Sequence, residues 1–126
     1  MNANTKTLAE ILPAGDTYQN GIRPGPVKLA QFQEALKMRE TPALYSQDGK
    51  GMEAMATVKL FDPSGRWTWF ITEWDHDQSA FGLVNGHEAE LGYIDLESLA
   101  NTKGRLGIGI EIDMYWTPRP LRECID

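Results

Sequence analysis

The chain has a single cysteine, Cys124, in 126 residues. One thiol can form neither an internal disulfide nor a thiolate metal cage, so stability must come from packing. Long apolar runs are missing too: none approaches the ~20 residues needed to cross a bilayer. The opening stretch MNANTKTLAEILPAG has no basic segment followed by an apolar core and a small-residue cleavage site. A cytoplasmic protein without a membrane segment is expected. No G-x-x-x-x-G-K-S/T phosphate loop occurs, and the glycines of GRLGIG precede a strand pattern instead of opening a helix, so they read as backbone geometry.

Basic charge is scarce and unevenly spread. The formal net charge is −6, and the 36 residues between Arg66 and Lys103 contain no Lys or Arg. Nucleic-acid affinity comes largely from Lys and Arg neutralising phosphates, so direct nucleic-acid binding is not expected. The same segment holds Glu73, Asp75, Asp77, Glu88, Glu90, Asp95 and Glu97. Such a negative field is either a solvated rim that keeps the protein soluble or a docking face for a basic partner protein or a cation.

Apolar residues make up 41% of the chain, ordinary globular usage for one domain over 1–126. Leu8, Ile11 and Leu12, behind Thr7 and before Pro13, predict a short helix. A Gly/Pro-rich loop follows. Val27, Ala30, Phe32, Ala35, Leu36 and Met38 predict a second helix that ends near Thr41, because Pro42 disfavours helical geometry in the residue before it. Beyond residue 53 the period becomes two. AMATVKLF, RWTWFITEW, AFGLV, ELGYI and LGIGIEIDMYW read as strands separated by the turn segments DPSG, DHDQS and NGHEAE. In RWTWFITEW alternation puts Trp67, Trp69, Ile71 and Glu73 on one face and Thr68, Phe70, Thr72 and Trp74 on the other. Neither face is polar, which predicts a central strand covered on both sides. Asp95 is placed to cap a short helix through Leu96 and Leu99. Ile108, Ile110, Ile112 and Met114 predict the inward face of the last strand. The expected fold is α+β, with an antiparallel sheet of four to five strands and short helices at the N-terminus and before the last strand.

The phrases PALYSQDGKG, VKLFDPSGRWTWFITEWD, AFGLVNGHEAELGYIDLESLA and GRLGIGIEIDMYWTPRPLRE occur in this order. Together they resemble the bacterial family DUF2958, over about residues 42–121, with 1–41 as a helical N-terminal extension. The resemblance implies a shared α+β fold and an association with plasmids, phages and other mobile elements. It implies no catalytic residue, and with no cofactor motif in the sequence no cofactor is expected.

Several groups are candidates for chemistry. Asp75, Asp77 and His87 are competent ligands for Mg²⁺, Mn²⁺ or Zn²⁺ if the two turns that carry them meet. Their spacing matches no strong metal signature, and acidic residues are common in turns because they bond nearby backbone groups. Glu73, Glu90, Glu111 and Asp113 are acid-base candidates, Glu73 especially if it lies beside apolar surface. Trp67, Trp69, Trp74 and Tyr93 suit either a stacking platform or core burial. The platform reading lacks the basic groove that normally accompanies it. The leading expectation is a non-enzymatic protein that acts through protein contacts made by an acidic and aromatic face: Glu73, Trp74, Asp75, Asp77, Glu88 and Glu90. The alternative is a divalent-metal-dependent hydrolase, or a module that binds a metal or small molecule.

Overall fold

The computed structural model describes residues 6–12, 24–104 and 107–125. The closure of the first helix by Pro13, and most of the Gly/Pro-rich loop after it, lie outside the described residues. Among the described residues three α-helices, α1 (Leu8–Ile11), α2 (Pro26–Met38) and α3 (Leu96–Asn101), and two single-turn 3-10 helices (Gly51–Glu53 and Leu121–Glu123) accompany seven strands: β1 (Met55–Ala56), β2 (Val58–Phe61), β3 (Thr68–Trp74), β4 (Ser79–Asn85), β5 (Ala89–Asp95), β6 (Glu111–Ile112) and β7 (Arg119–Pro120). The main sheet has five antiparallel strands in the order β5-β4-β3-β2-β6, and β1 pairs with β7 in a second, two-stranded sheet. The fold is α+β, as the change of period along the chain predicts.

Helices cover one face of the sheet. Phe32, Ala35 and Leu36 of α2 and Leu96 and Ala100 of α3 pack with Val58, Leu60, Trp69, Ile71, Ile110, Ile112 and Met114. Helix α2 starts with Pro at its first turn and ends at Met38, three residues before Thr41. Phe32, Ala35 and Leu36 of the predicted stripe are buried and Met38 packs beside them, but Lys28 completes the buried face in place of Val27, which is 63% exposed, and Ala30, which also faces solvent. The Lys28 side chain is 2% exposed, and its burial lowers the amine's pKa against the opposing pull of Glu111. At the start of α3, Asp95 caps as expected, its Oδ1 accepting from the Ser98 N–H at 3.1 Å.

The other face of the sheet is covered by the chain itself. Ala54, Ala56 and Phe70 pack with Leu83, Trp116 and Leu121, so the 42–54 segment and the C-terminal segment close this side. Arg39 joins the two layers by donating from Nη2 to the Trp116 carbonyl at 3.3 Å. The last predicted strand shrinks to Glu111–Ile112, with one further bridge from Lys103 to Gly109. Ile110, Ile112 and Met114 are buried as period two requires, but Ile108 is 42% exposed.

β3 is covered on both faces, with Trp69 through Trp74 all buried. Its alternation breaks once. Ile71 pairs with Gly82 and Glu73 pairs with Phe81, leaving Thr72 as the extra residue of a β-bulge. Beyond the bulge the faces exchange. Trp74 joins Trp69 and Ile71 under the helices, and Glu73 turns to the opposite side, next to Phe81 and Leu121. The regular alternation expected for this strand is therefore corrected at its last two residues.

Candidate functional site

The 36-residue segment without Lys or Arg folds into β3, β4, β5 and α3, one lateral half of the sheet. Successive hairpin turns in such a meander lie at opposite ends of the strands, and this divides the acidic residues into two groups.

The β3–β4 turn forms the first group. Asp75 organises it: Oδ1 accepts from the backbone N–H of Asp77 at 2.8 Å and of Ser79 at 3.0 Å. His76 occupies the left-handed region at φ +67° and stacks on Trp74, ring centroids 4.8 Å apart. The Asp77 carbonyl accepts from the Trp74 indole N–H and from Gln33 Nε2, both at 2.9 Å, which ties the turn to α2. These bonds occupy the backbone of Asp77 and leave its carboxylate in solvent. Asp95, opposite Ser79 in the β4–β5 register, and Glu97 project at the same end.

The β4–β5 turn forms the second. Trp67, 39% exposed, packs edge-on to His87 at 5.6 Å and lies 6.1 Å from Trp69. A Cβ on Gly86 would come within 2.5 Å of the Trp67 ring, so the indole rests directly on the turn's backbone. Trp67, Val84, His87, Glu88 and Glu90 line a shallow cleft of about 270 Å³ on the helix side of the sheet.

The two groups do not meet. The full length of β4 separates them, about 20 Å for seven residues at roughly 3.4 Å per residue. Asp75 and Asp77 therefore cannot share a metal ion with His87, because hairpin pairing aligns the strands but sends consecutive turns to opposite ends. Among the described residues no group of three or more His, Cys, Asp or Glu is placed to hold a metal ion. The aromatic residues are dispersed as well: Trp69 and Trp74 are buried in the core, while Trp67 and Tyr93 reach solvent on opposite faces of the sheet.

Glu73 and Trp74 are each 4% exposed, so neither carboxylate nor indole lies at the surface with the exposed acids. The Glu73 oxygens accept the backbone N–H groups of Tyr45 at 2.9 Å and Gln47 at 2.7 Å. Gln47 extends this anchor, donating to the Met55 and Thr72 carbonyls and accepting from the Met55 N–H. The partners lie 26 and 28 residues upstream of Glu73, and no local pattern marks them. Asp113 forms an ion pair with Lys59 at 3.5 Å and accepts from the Tyr115 N–H, a structural role. Glu111 lies near Lys28.

A family model described as protein of unknown function, DUF2958, matches residues 29–124. The chain belongs to this family. The DUF2958 span takes in most of α2 together with all seven strands. No curated protein and no solved structure gives a significant match. Among the described residues no helix is long and apolar enough to cross a membrane.

Proposed function

We propose that this DUF2958 chain is a non-enzymatic accessory protein of a mobile genetic element. It works in the cytoplasm by binding a protein that presents a basic surface. The observation that carries this reading is the state of the acidic half. Asp75, Asp77, Glu88, Glu90, Asp95 and Glu97 are all exposed, and none forms an ion pair among the described residues. Within each end of this half of the sheet, Asp75, Asp77, Asp95 and Glu97 at one and Glu88 and Glu90 at the other, carboxylates without an ion-pair partner among the described residues gather like charge that an opposing basic surface relieves. Trp67 and His87 beside Glu88 and Glu90 add the aromatic anchor that protein interfaces favour.

In a mobile-element setting the basic surface that fits is a groove built for nucleic acid in a defence complex of the host. The carboxylates then occupy positions meant for phosphates, and the chain inhibits by competition. Affinity purification from the native cell followed by mass spectrometry identifies the partner. Charge-steered association falls steeply with salt. A partner whose binding is insensitive both to salt and to the combined substitutions Asp75→Asn, Asp77→Asn, Glu88→Gln and Glu90→Gln refutes the reading.

A further inference from the structure

The face of the sheet away from the helices carries a second feature, separate from the exposed acids. Two adjoining cavities of about 340 and 40 Å³ share Asp48, Glu73 and Phe81 in their walls. They lie between the turn that carries Tyr45 and Asp48 and the outer strands β4 and β5. Tyr45 is 60% exposed, Tyr93 63% and Leu91 45%, an apolar and aromatic rim left open to solvent. The Tyr45 and Tyr93 hydroxyls are hydrogen-bonded at 3.0 Å across the rim, and Phe81 stands edge-on to Tyr93 at 5.2 Å.

The floor is Glu73. Its carboxylate is almost wholly buried, and each oxygen accepts one neutral backbone N–H. A carboxylate has roughly four acceptor sites, so two N–H groups leave capacity for further donors. No Lys or Arg among the described residues forms an ion pair with it. Asp48 adds a second acid at the wall. The Tyr93 hydroxyl responds to these surroundings: its pKa is raised first by the hydrogen bond to Tyr45, with Asp48 and Glu73 pushing the same way. Aromatic faces and carboxylates around one cleft favour a cation on an apolar stem.

We infer that this cleft takes the side chain of a lysine or arginine presented by a partner protein, its stem against Phe81, Leu91 and Tyr93 and its charged head toward Glu73 and Asp48. The partner's basic character is taken from the function proposed above; the pocket names where one of its side chains goes. β5 is the edge of the sheet, so the partner's backbone has room alongside it. A second copy of this chain is a poor occupant, because antiparallel pairing of two β5 edges would set Glu88, Glu90, Asp95 and Glu97 of each copy against a strand without any cation.

The test is a titration of the full chain, followed by amide NMR at constant ionic strength, with N-acetyl-lysine methylamide and N-acetyl-arginine methylamide. N-acetyl-norleucine methylamide, which keeps the stem and lacks the charge, is the control. A single side chain is expected to bind with Kd on the order of 10 mM. Saturable shifts are expected at Tyr45, Asp48, Phe81 and Tyr93 with the two cations and not with norleucine. Affinity should fall about fivefold or more in Asp48→Asn and in Tyr93→Ala, at a residue exposed enough to leave the core intact, whereas Tyr115→Ala, at another exposed tyrosine (65%), leaves it unchanged. Absence of shifts, or equal shifts with norleucine, overturns the inference. Salt-sensitive partner binding without any cation titration removes this pocket alone. Cation titration in a chain whose partner binding ignores salt supports the pocket and removes the proposed function instead.

Discussion

Replacing Glu73 by glutamine probes how the face of the sheet opposite the α-helices is held together. In the native chain the buried carboxylate accepts two backbone N–H groups, from Tyr45 at 2.9 Å and from Gln47 at 2.7 Å. Between them the turn holds Tyr45 at φ +70°, a left-handed conformation that costs a residue with a Cβ roughly 1–2 kcal/mol. Glutamine preserves the size and one acceptor oxygen, but its amide NH₂ then faces the second backbone N–H, donor against donor. A hydrogen bond to a charged group contributes about 1.5–3 kcal/mol, and a buried donor left unpaired costs a similar amount. Because these describe overlapping losses, the expected destabilisation of Glu73→Gln is about 2–3 kcal/mol. At roughly 4 °C per kcal/mol for a domain of this size, Tm should fall by about 10 °C. Thermal unfolding by circular dichroism measures the first number. Amide hydrogen exchange localises the cause, with Tyr45 and Gln47 losing more protection than residues in β3 and β4, since the turn opens before the sheet. A variant that melts within about 2 °C of the parent, with unchanged exchange at both amides, would refute the anchoring role.

Gly82 tests the bulge from the partner strand. A Cβ there would collide with the Phe70 carbonyl oxygen and lie 2.9 Å from its carbon and 3.0 Å from Ile71 Cα, all backbone atoms that cannot rotate away. Gly82→Ala should therefore cost about 3 kcal/mol or more by urea denaturation, and an alanine variant within about 0.5 kcal/mol of the parent would show that the approach is not that close. At Cys124, burial pushes the thiol pKa from 9.0 up to about 11, against the weaker opposing pull of Arg119 and Lys59. The folded chain thus keeps a proton that the unfolded chain releases, so this group's contribution to stability is complete below pH 9 and is lost as pH rises through about 11. Alkylation by iodoacetamide at about pH 8 should be roughly a hundredfold slower in the folded than in the urea-unfolded chain; equal rates would contradict it.

Much of the architecture was readable from local pattern. The alternation in RWTWFITEW, AFGLV and ELGYI, separated by turn residues, led to three hairpin-linked strands, and Asp95 capped the helix expected after them. Features set by distant partners were not readable. The pairing of Met55 with Pro120 joins segments 65 residues apart, so no local pattern in AMATVKLF separates β1 from β2 or marks β7 as its partner. The stripe of α2 is legible from Phe32 to Met38 but not in its first turns, where Lys28 is buried while Val27, one residue earlier, faces solvent. The metal candidates failed for a topological reason that composition does not carry: two turns flanking one strand lie at its two ends.

One extra residue connects these outcomes. Continued alternation through Thr72 would have put the Glu73 carboxylate under the helices beside the apolar side chains of Trp69 and Ile71, and would have turned Trp74 to the other side. The bulge exchanges them. Trp74 gains a place in the main core and an acceptor for its indole N–H in the Asp77 carbonyl, which fixes the β3–β4 turn. Glu73 gains the two amides that fix the Tyr45 turn, and with them one wall of the cleft opposite Tyr93. The close packing of Gly82 on Phe70 and Ile71 makes the exchange possible, since a side chain at that position would push β4 away where the register shifts. Stability and site geometry on this face thus depend on the same irregularity. Gly82→Ala should accordingly perturb the Tyr45 and Tyr93 ring resonances together, even though neither residue is among the atoms closest to the added methyl group.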